Sequence, residues 1–119
     1  MSPAFQHLLR GAAPSIFMEG KGDAECGCGW FPLLLDLCKK LEAVNQTLPE
    51  EDRCKVVQIK EKFGGLRVYL YAETDEMNGA VEEAENKALE TCELCAYPGS
   101  LRNDSYTRTL CNWCYHKKP

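Results

Sequence analysis

Cys92-Glu93-Leu94-Cys95, then fifteen residues, then Cys111-Asn112-Trp113-Cys114, is the stretch on which the reading of this chain turns. Two intervening residues let a tight turn deliver both sulfurs of a pair to one metal ion, and two such pairs complete a tetrahedron. The spacer is long enough for a short hairpin that returns the second pair to the first. Turn residues follow the first pair in Ala96-Tyr97-Pro98-Gly99, as a knuckle requires, and Tyr115-His116-Lys117-Lys118 after the second pair can begin a helix. Knuckle, hairpin and second knuckle at a helix start is the treble-clef arrangement, whereas a zinc ribbon would set the second pair on another hairpin.

Four thiolates fill a tetrahedral zinc and leave no position for water, so the pattern points to one structural Zn2+ and not to a Lewis acid. Structural zinc supplies on the order of 10 kcal/mol of apparent binding free energy at neutral pH, comparable with the stability of a whole small domain. His116 is the one alternative ligand, in place of Cys111 or Cys114. His7 has no partner motif and reads as a surface residue.

Upstream of the first pair, residues 76–91 place Met77, Ala80, Val81, Ala84 and Ala88 at intervals of three and four, with a Glu83–Lys87 pair at i, i+4, which predicts a helix. It runs directly into Cys92, so no linker separates core from metal site. Residues 55–61 and 66–73 alternate in the manner of strands around Lys62-Phe63-Gly64-Gly65, and the paired glycines predict a β-hairpin. On its second strand Leu66, Val68, Leu70 and Ala72 share the core face while Arg67, Tyr69, Tyr71 and Glu73 share the other. Residues 30–45 return to a helical period through Trp30, Leu34, Leu37, Cys38, Leu41 and Val44, with Pro32 near the start, where its missing N–H costs nothing. Ser2-Pro3 reads as a cap and first position of a short helix carrying Phe5, Leu8 and Leu9. Residues 11–29 hold five glycines and no sustained period, and so read as a loop or mobile arm. The expectation is therefore an α+β fold: residues 1–29 a short helix and Gly-rich arm, residues 30–119 one zinc-stapled domain of helix, β-hairpin, helix and a treble-clef-like or ribbon-like site.

Eight cysteines in 119 residues raise the rival reading of a disulfide framework. Met1 to Met18 show no long apolar run behind a basic start, and apolar runs such as Leu33 to Leu35 are far too short to span a membrane. A reducing, cytoplasmic setting is expected, with four thiolates on zinc and Cys26, Cys28, Cys38 and Cys54 left over. Cys26-Gly27-Cys28 makes a poor knuckle, and Cys38 falls on an apolar helical face where a free thiol acts as a small hydrophobe.

The formal net charge is -4, with ten Lys/Arg against sixteen Asp/Glu in residues 1–91 and four against two in residues 92–119. Net acidity weighs against a general nucleic-acid binder, whose affinity rests on neutralising phosphates. Lys60, Lys62, Arg67, Tyr69 and Tyr71 nevertheless combine rings with cations around the hairpin, and Arg102, Arg108, Lys117 and Lys118 add charge around the metal. Trp113 and Leu101 are sensible anchors for a protein partner. Enzyme chemistry finds little support: residues 96–110 lack the histidine an HNH-type nuclease needs, and no Ser-His-Asp, P-loop or Gly-x-Gly-x-x-Gly pattern is present. No small-molecule substrate is expected.

Three blocks, Cys26-Gly-Cys-Gly-Trp-Phe31 with the Leu-rich helix behind it, Gln58-Ile-Lys-Glu-Lys-Phe-Gly-Gly-Leu-Arg-Val-Tyr69, and Thr91-Cys-Glu-Leu-Cys-Ala-Tyr-Pro-Gly99 with Thr109-Leu-Cys111, together resemble a group of small uncharacterised proteins of phages and prophages. The likeness covers residues 26–114. Cys28 stands where the group has an acidic residue, and Ala96 where a knuckle glycine is usual, which strains that turn. The resemblance implies a setting more than a chemistry: a protein that binds and modulates a host protein component, such as a defence system or the transcription machinery.

Overall fold

The computed structural model describes residues 1–117. Its secondary structure is a mixture of helices and small sheets: α1 (Pro3–Ala12), β1 (Ala24–Glu25), α2 (Phe31–Asn45), β2 (Lys55–Lys62), β3 (Gly65–Tyr71), α3 (Asp75–Ala88), β4 (Ser100–Asn103), β5 (Thr107–Leu110) and α4 (Asn112–His116). Ser2 caps α1 through a hydrogen bond from the Phe5 N–H at 3.3 Å, with Pro3 at the first helical position. Thr74 caps α3 in the same way through the Met77 N–H. Lys118 lies outside the described residues.

One three-stranded sheet runs β1-β2-β3, with β2 and β3 antiparallel and β1 parallel to β2. The inward residues Val56, Ile59, Leu66 and Val68 meet Leu34, Leu37, Cys38 and Leu41 of α2 and Met77, Val81, Ala84 and Ala88 of α3 in a single apolar core around fully buried Trp30. Phe63 and Gly64 form the turn, both at positive φ of 52° and 83°, as the hairpin turn matched to strand twist requires. The chain thus turns one residue earlier than its paired glycines suggest, because Lys62 pairs with Gly65. Ala72 does not continue the strand; it sits at φ 62° beyond its end. The open edge at β3 is blunted where the Val68 N–H donates to the Glu85 carboxylate on α3 at 3.1 Å, a device that discourages edge-to-edge pairing.

Residues 11–29, expected as a loop or mobile arm, are built into this core. Ala13, Ile16 and Ala24 are buried, the Val56 N–H donates to the Ile16 carbonyl at 2.7 Å, and Ala24 pairs with Ile59. The Gln6 side chain closes the outer edge of β1 by donating to and accepting from the Ala24 backbone at 2.9 and 2.8 Å. Arg10 clamps the following turn through the carbonyls of Met18 and Lys21 and the carboxylate of Asp23. Buried Asn45 binds both backbone groups of Cys54 and the Ser15 hydroxyl, so the arm, α2 and β2 share one hydrogen-bonded seam. Periodicity missed this segment because a short strand pairing and hydrogen bonds to residues distant in the chain, not an apolar repeat, hold it in place.

Among the described residues no helix is long and apolar enough to cross a membrane.

Candidate metal centre

The first pair sits on a turn held by backbone bonds: Ala96 N–H to Cys92 O at 3.0 Å, Cys92 N–H to Tyr97 O at 2.7 Å and Gly99 N–H to Glu90 O at 2.9 Å. Ala96 takes φ 71°, a left-handed conformation that glycine adopts freely and alanine adopts only with strain. From Gly99 the chain enters the β4–β5 hairpin, in which Leu101 pairs with Thr109 and Arg102 with Arg108. Cys111 then caps α4, its sulfur accepting from the Cys114 N–H at 3.4 Å. The second pair therefore opens a helix, the order that distinguishes a treble clef from a ribbon.

The hairpin brings the four sulfurs of Cys92, Cys95, Cys111 and Cys114 within 4.8 Å of one another, with Cys95 and Cys111 3.6 Å apart. A tetrahedral ion with metal–sulfur bonds of 2.3 Å needs sulfurs about 3.8 Å apart, so the cage has the size for one thiolate-bound metal. All eight cysteines are free thiols. Burial opposes ionisation of Cys92, but N–H groups of Cys111, Cys95 and Leu94 aimed at its sulfur outweigh it and hold the thiol down to about 7. At Cys114 desolvation and the neighbouring sulfurs of Cys111, Cys92 and Cys95 push the thiol up to about 12. At Cys95 the Tyr97 N–H favours the thiolate, yet desolvation and the sulfurs of Cys111 and Cys92 raise it on balance. Four sulfurs this close resist a second negative charge in their midst, and a dication removes that resistance.

The remaining cysteines form no such cage; among the described residues the four-sulfur group is the only cluster of its kind. Burial drives Cys26 and Cys38 up to about 12 and Cys54 to about 11, while Cys28 is exposed. These three buried thiols are neutral members of the core. His116 and His7 are exposed and stand apart from the sulfurs.

Glu93, which sequence reasoning passed over, is the junction between the knuckle and the rest of the molecule. It is 5% exposed. Its carboxylate accepts from the Gly27 N–H at 2.8 Å and lies 3.5 Å from the Arg108 guanidinium, its carbonyl accepts from the Gly29 N–H at 2.7 Å, and its N–H donates to Thr109 O at 3.0 Å. A Cβ on Gly27 or Gly29 would overlap the carbonyls of Glu93 or Cys92. The glycines of Cys26-Gly-Cys-Gly-Trp are thus what the knuckle needs at that loop, and the spacing Gly-x-Gly before Trp30 was the signal available for it. Trp30 completes the seam by donating its indole N–H to Thr91 O at 2.9 Å. On the other side Thr109 donates to Gly64 O at 2.8 Å, and a Cβ on Gly64 would sit 2.6 Å from Leu101. The three blocks singled out in the sequence converge here.

The contact residues proposed from sequence separate into two groups. Lys60, Lys62, Arg67, Tyr69 and Tyr71 share the face of the three-stranded sheet turned away from the helices, where Lys60 pairs with Arg67 and Gln58 with Tyr69. Tyr69 and Tyr71 are exposed. Arg102 and Arg108 are held inside the metal unit: Arg102 donates to Leu110 O and Asn112 and lies 4.4 Å over the Tyr115 ring, and Arg108 faces Glu93. Trp113 is 68% exposed, with the Lys117 ammonium 4.8 Å above it.

Compared with known protein families, with curated proteins and with solved structures, the chain matches none.

Proposed function

We propose that this chain is a small zinc-stapled interaction protein, in which the metal folds the C-terminal quarter and the function is binding, not catalysis. The observation that carries the reading is the closed set of four sulfurs within 4.8 Å of one another. Four soft thiolates at tetrahedral spacing suit Zn2+, and they leave no coordination site at which a substrate or water could be activated. Among the described residues Leu110 is the only buried aliphatic side chain packed with these cysteines, so a structural ion would supply the ordering that so small a core does not.

The binding role is supported by side chains that the fold does not use. Phe63 is 75% exposed at positive φ, and Tyr69, Tyr71, Tyr97, Leu101, Tyr106 and Trp113 are also exposed. In the phage-type setting that the resemblance implies, the partner is a host component, with a protein of a defence or transcription system as the first reading. Plasma mass spectrometry of protein purified anaerobically is expected to find one zinc per chain, and well under one would overturn the metal reading. Affinity purification from bacterial lysate is expected to return one stoichiometric partner, lost when exposed rings are replaced by alanine.

A further inference from the structure

We infer that the open face of the β1-β2-β3 sheet binds single-stranded nucleic acid, with Tyr69 and Tyr71 as stacking platforms and Lys60, Lys62 and Arg67 as phosphate partners. This goes beyond the protein-partner reading proposed above and shares with it only the zinc-stapled fold.

Net acidity argues against nucleic acid only if the charge is evenly spread, and it is not. Residues 55–71 and 96–117, the two hairpins with α4, hold seven Lys/Arg against two Asp/Glu, while residues 1–54 and 72–95 hold six against sixteen. The strands of the two hairpins, β2–β5, carry six Lys/Arg against one Glu, whereas α3 alone carries five Asp/Glu against one Lys. Metal-bound thiolates change the local sum, since four thiolates and a dication carry -2 together; Arg102 and Arg108 lie beside that site and offset it. The sheet face keeps its own charge. On it stand Lys55, Lys60, Lys62 and Arg67 against Glu25 alone. Lys55 is spent on the Ser15 carbonyl at 2.7 Å and one Arg67 nitrogen donates to the Leu66 carbonyl at 3.0 Å, but Lys60, Lys62 and Arg67 enter no ion pair among the described residues.

Exposed rings follow the same partition. Among the large apolar side chains that are exposed, only Leu8, Leu89 and Leu94 lie outside those two basic stretches. Tyr69 and Tyr71 alternate with inward-facing Val68 and Leu70 on one strand, so their rings rise about 6.8 Å apart. That interval is twice the 3.4 Å step of bases in a duplex strand. It accommodates splayed bases, each laid on its own ring, as single strands permit and duplexes do not. Phosphate partners sit one strand position to the side, at Arg67 and across from it at Lys60. Planar bases would give each of the paired rings a stacking partner while the phosphates between them meet the cations, which is why nucleic acid is favoured on this face.

Fluorescence anisotropy of the zinc-loaded full chain with a labelled mixed-sequence single-stranded RNA, the matching DNA single strand and the duplex tests this. Binding of single strands over duplex is expected. Three phosphate contacts predict a loss of about 20-fold in affinity between about 50 and 200 mM salt. Tyr69→Ala and Tyr71→Ala should each weaken binding about tenfold or more, and Leu8→Ala on α1 should not. One zinc per chain together with an unchanged urea-unfolding midpoint in every variant shows that both the metal unit and the sheet survive. Absence of single-strand binding at micromolar protein and low salt overturns the inference, as does equal binding of duplex, equal competition by polyglutamate, or indifference to both tyrosine variants. If nucleic acid fails but a stoichiometric protein partner is captured and is lost with the tyrosine variants, this inference falls while the interaction reading stands.

Discussion

The helical core and the C-terminal quarter are held together by different physics. Around Trp30 the buried side chains of α1, α2, α3 and the sheet form a continuous apolar cluster. Around Leu110 the buried cluster is Cys92, Leu110 and Cys111 alone. Apolar burial at about 25 cal/mol per Å2 cannot order a hairpin with so small a core; the four sulfurs are placed so that a metal ion would stand in its place. Seven of the eight cysteines divide along the same line, Cys26, Cys38 and Cys54 buried and held neutral in the core and four gathered where a metal would need them ionised, while Cys28 is exposed and belongs to neither set. The lesson is that residue type alone does not assign a cysteine its role: the N–H groups and apolar walls around each sulfur do.

The strongest way to break this comparison is to take the metal away. Cys111→Ser, or chelation, should forfeit binding free energy on the order of 10 kcal/mol and release β4, β5 and α4, while α2, α3 and the three-stranded sheet persist. Amide hydrogen exchange would report it. Equal protection of Thr107–Leu110 before and after chelation would show that the quarter folds without its clamp.

Removing the centre of the apolar half should cost less but spread further. Trp30→Ala is expected to lower stability by about 3–5 kcal/mol in urea unfolding, and because the indole N–H binds Thr91 O beside Cys92, zinc affinity should fall with it. Unchanged affinity would mean that the two regions are energetically independent.

The two sets of thiols should also answer pH in opposite directions. Cys38 and Cys54 are raised from 9.0 to about 12 and about 11 by burial. Unfolded thiols then lose protons before folded ones, so their stabilising effect is complete below pH 9 and declines between 9 and about 11–12. The slope is about 1.4 kcal/mol per pH unit for each thiol, and Cys38→Ala should flatten it. Metal-bound thiolates behave inversely: protons compete with zinc, so stability of the C-terminal quarter is lost as pH falls. Alkaline unfolding insensitive to Cys38→Ala would remove the core thiols from the comparison.

The smallest effect is a gain. Ala96→Gly relieves the left-handed alanine in the first knuckle and should raise stability by about 1 kcal/mol, visible as a small upward shift in Tm of the zinc-loaded form only.

Much of this molecule was legible as a string of residues. The cap at Ser2, the helical period from Trp30 and from Met77, and the alternation on β3 are local patterns, and local patterns survive into structure because neighbours in sequence share an element. The turn at Phe63-Gly64 fell one residue from its expected place because register is settled by the partner strand. What the sequence by itself determined was the candidate ligand set: pair spacing is a property of a tight turn and needs no distant contact. Tertiary structure alone decided that the glycine-rich segment is core, that Gly27 and Gly29 exist to admit the knuckle, that Glu93 joins loop to hairpin, and that two basic hairpins abut through Gly64 and Thr109 while the acids lie elsewhere. Each depends on groups many residues apart in the chain. Only folding makes them neighbours.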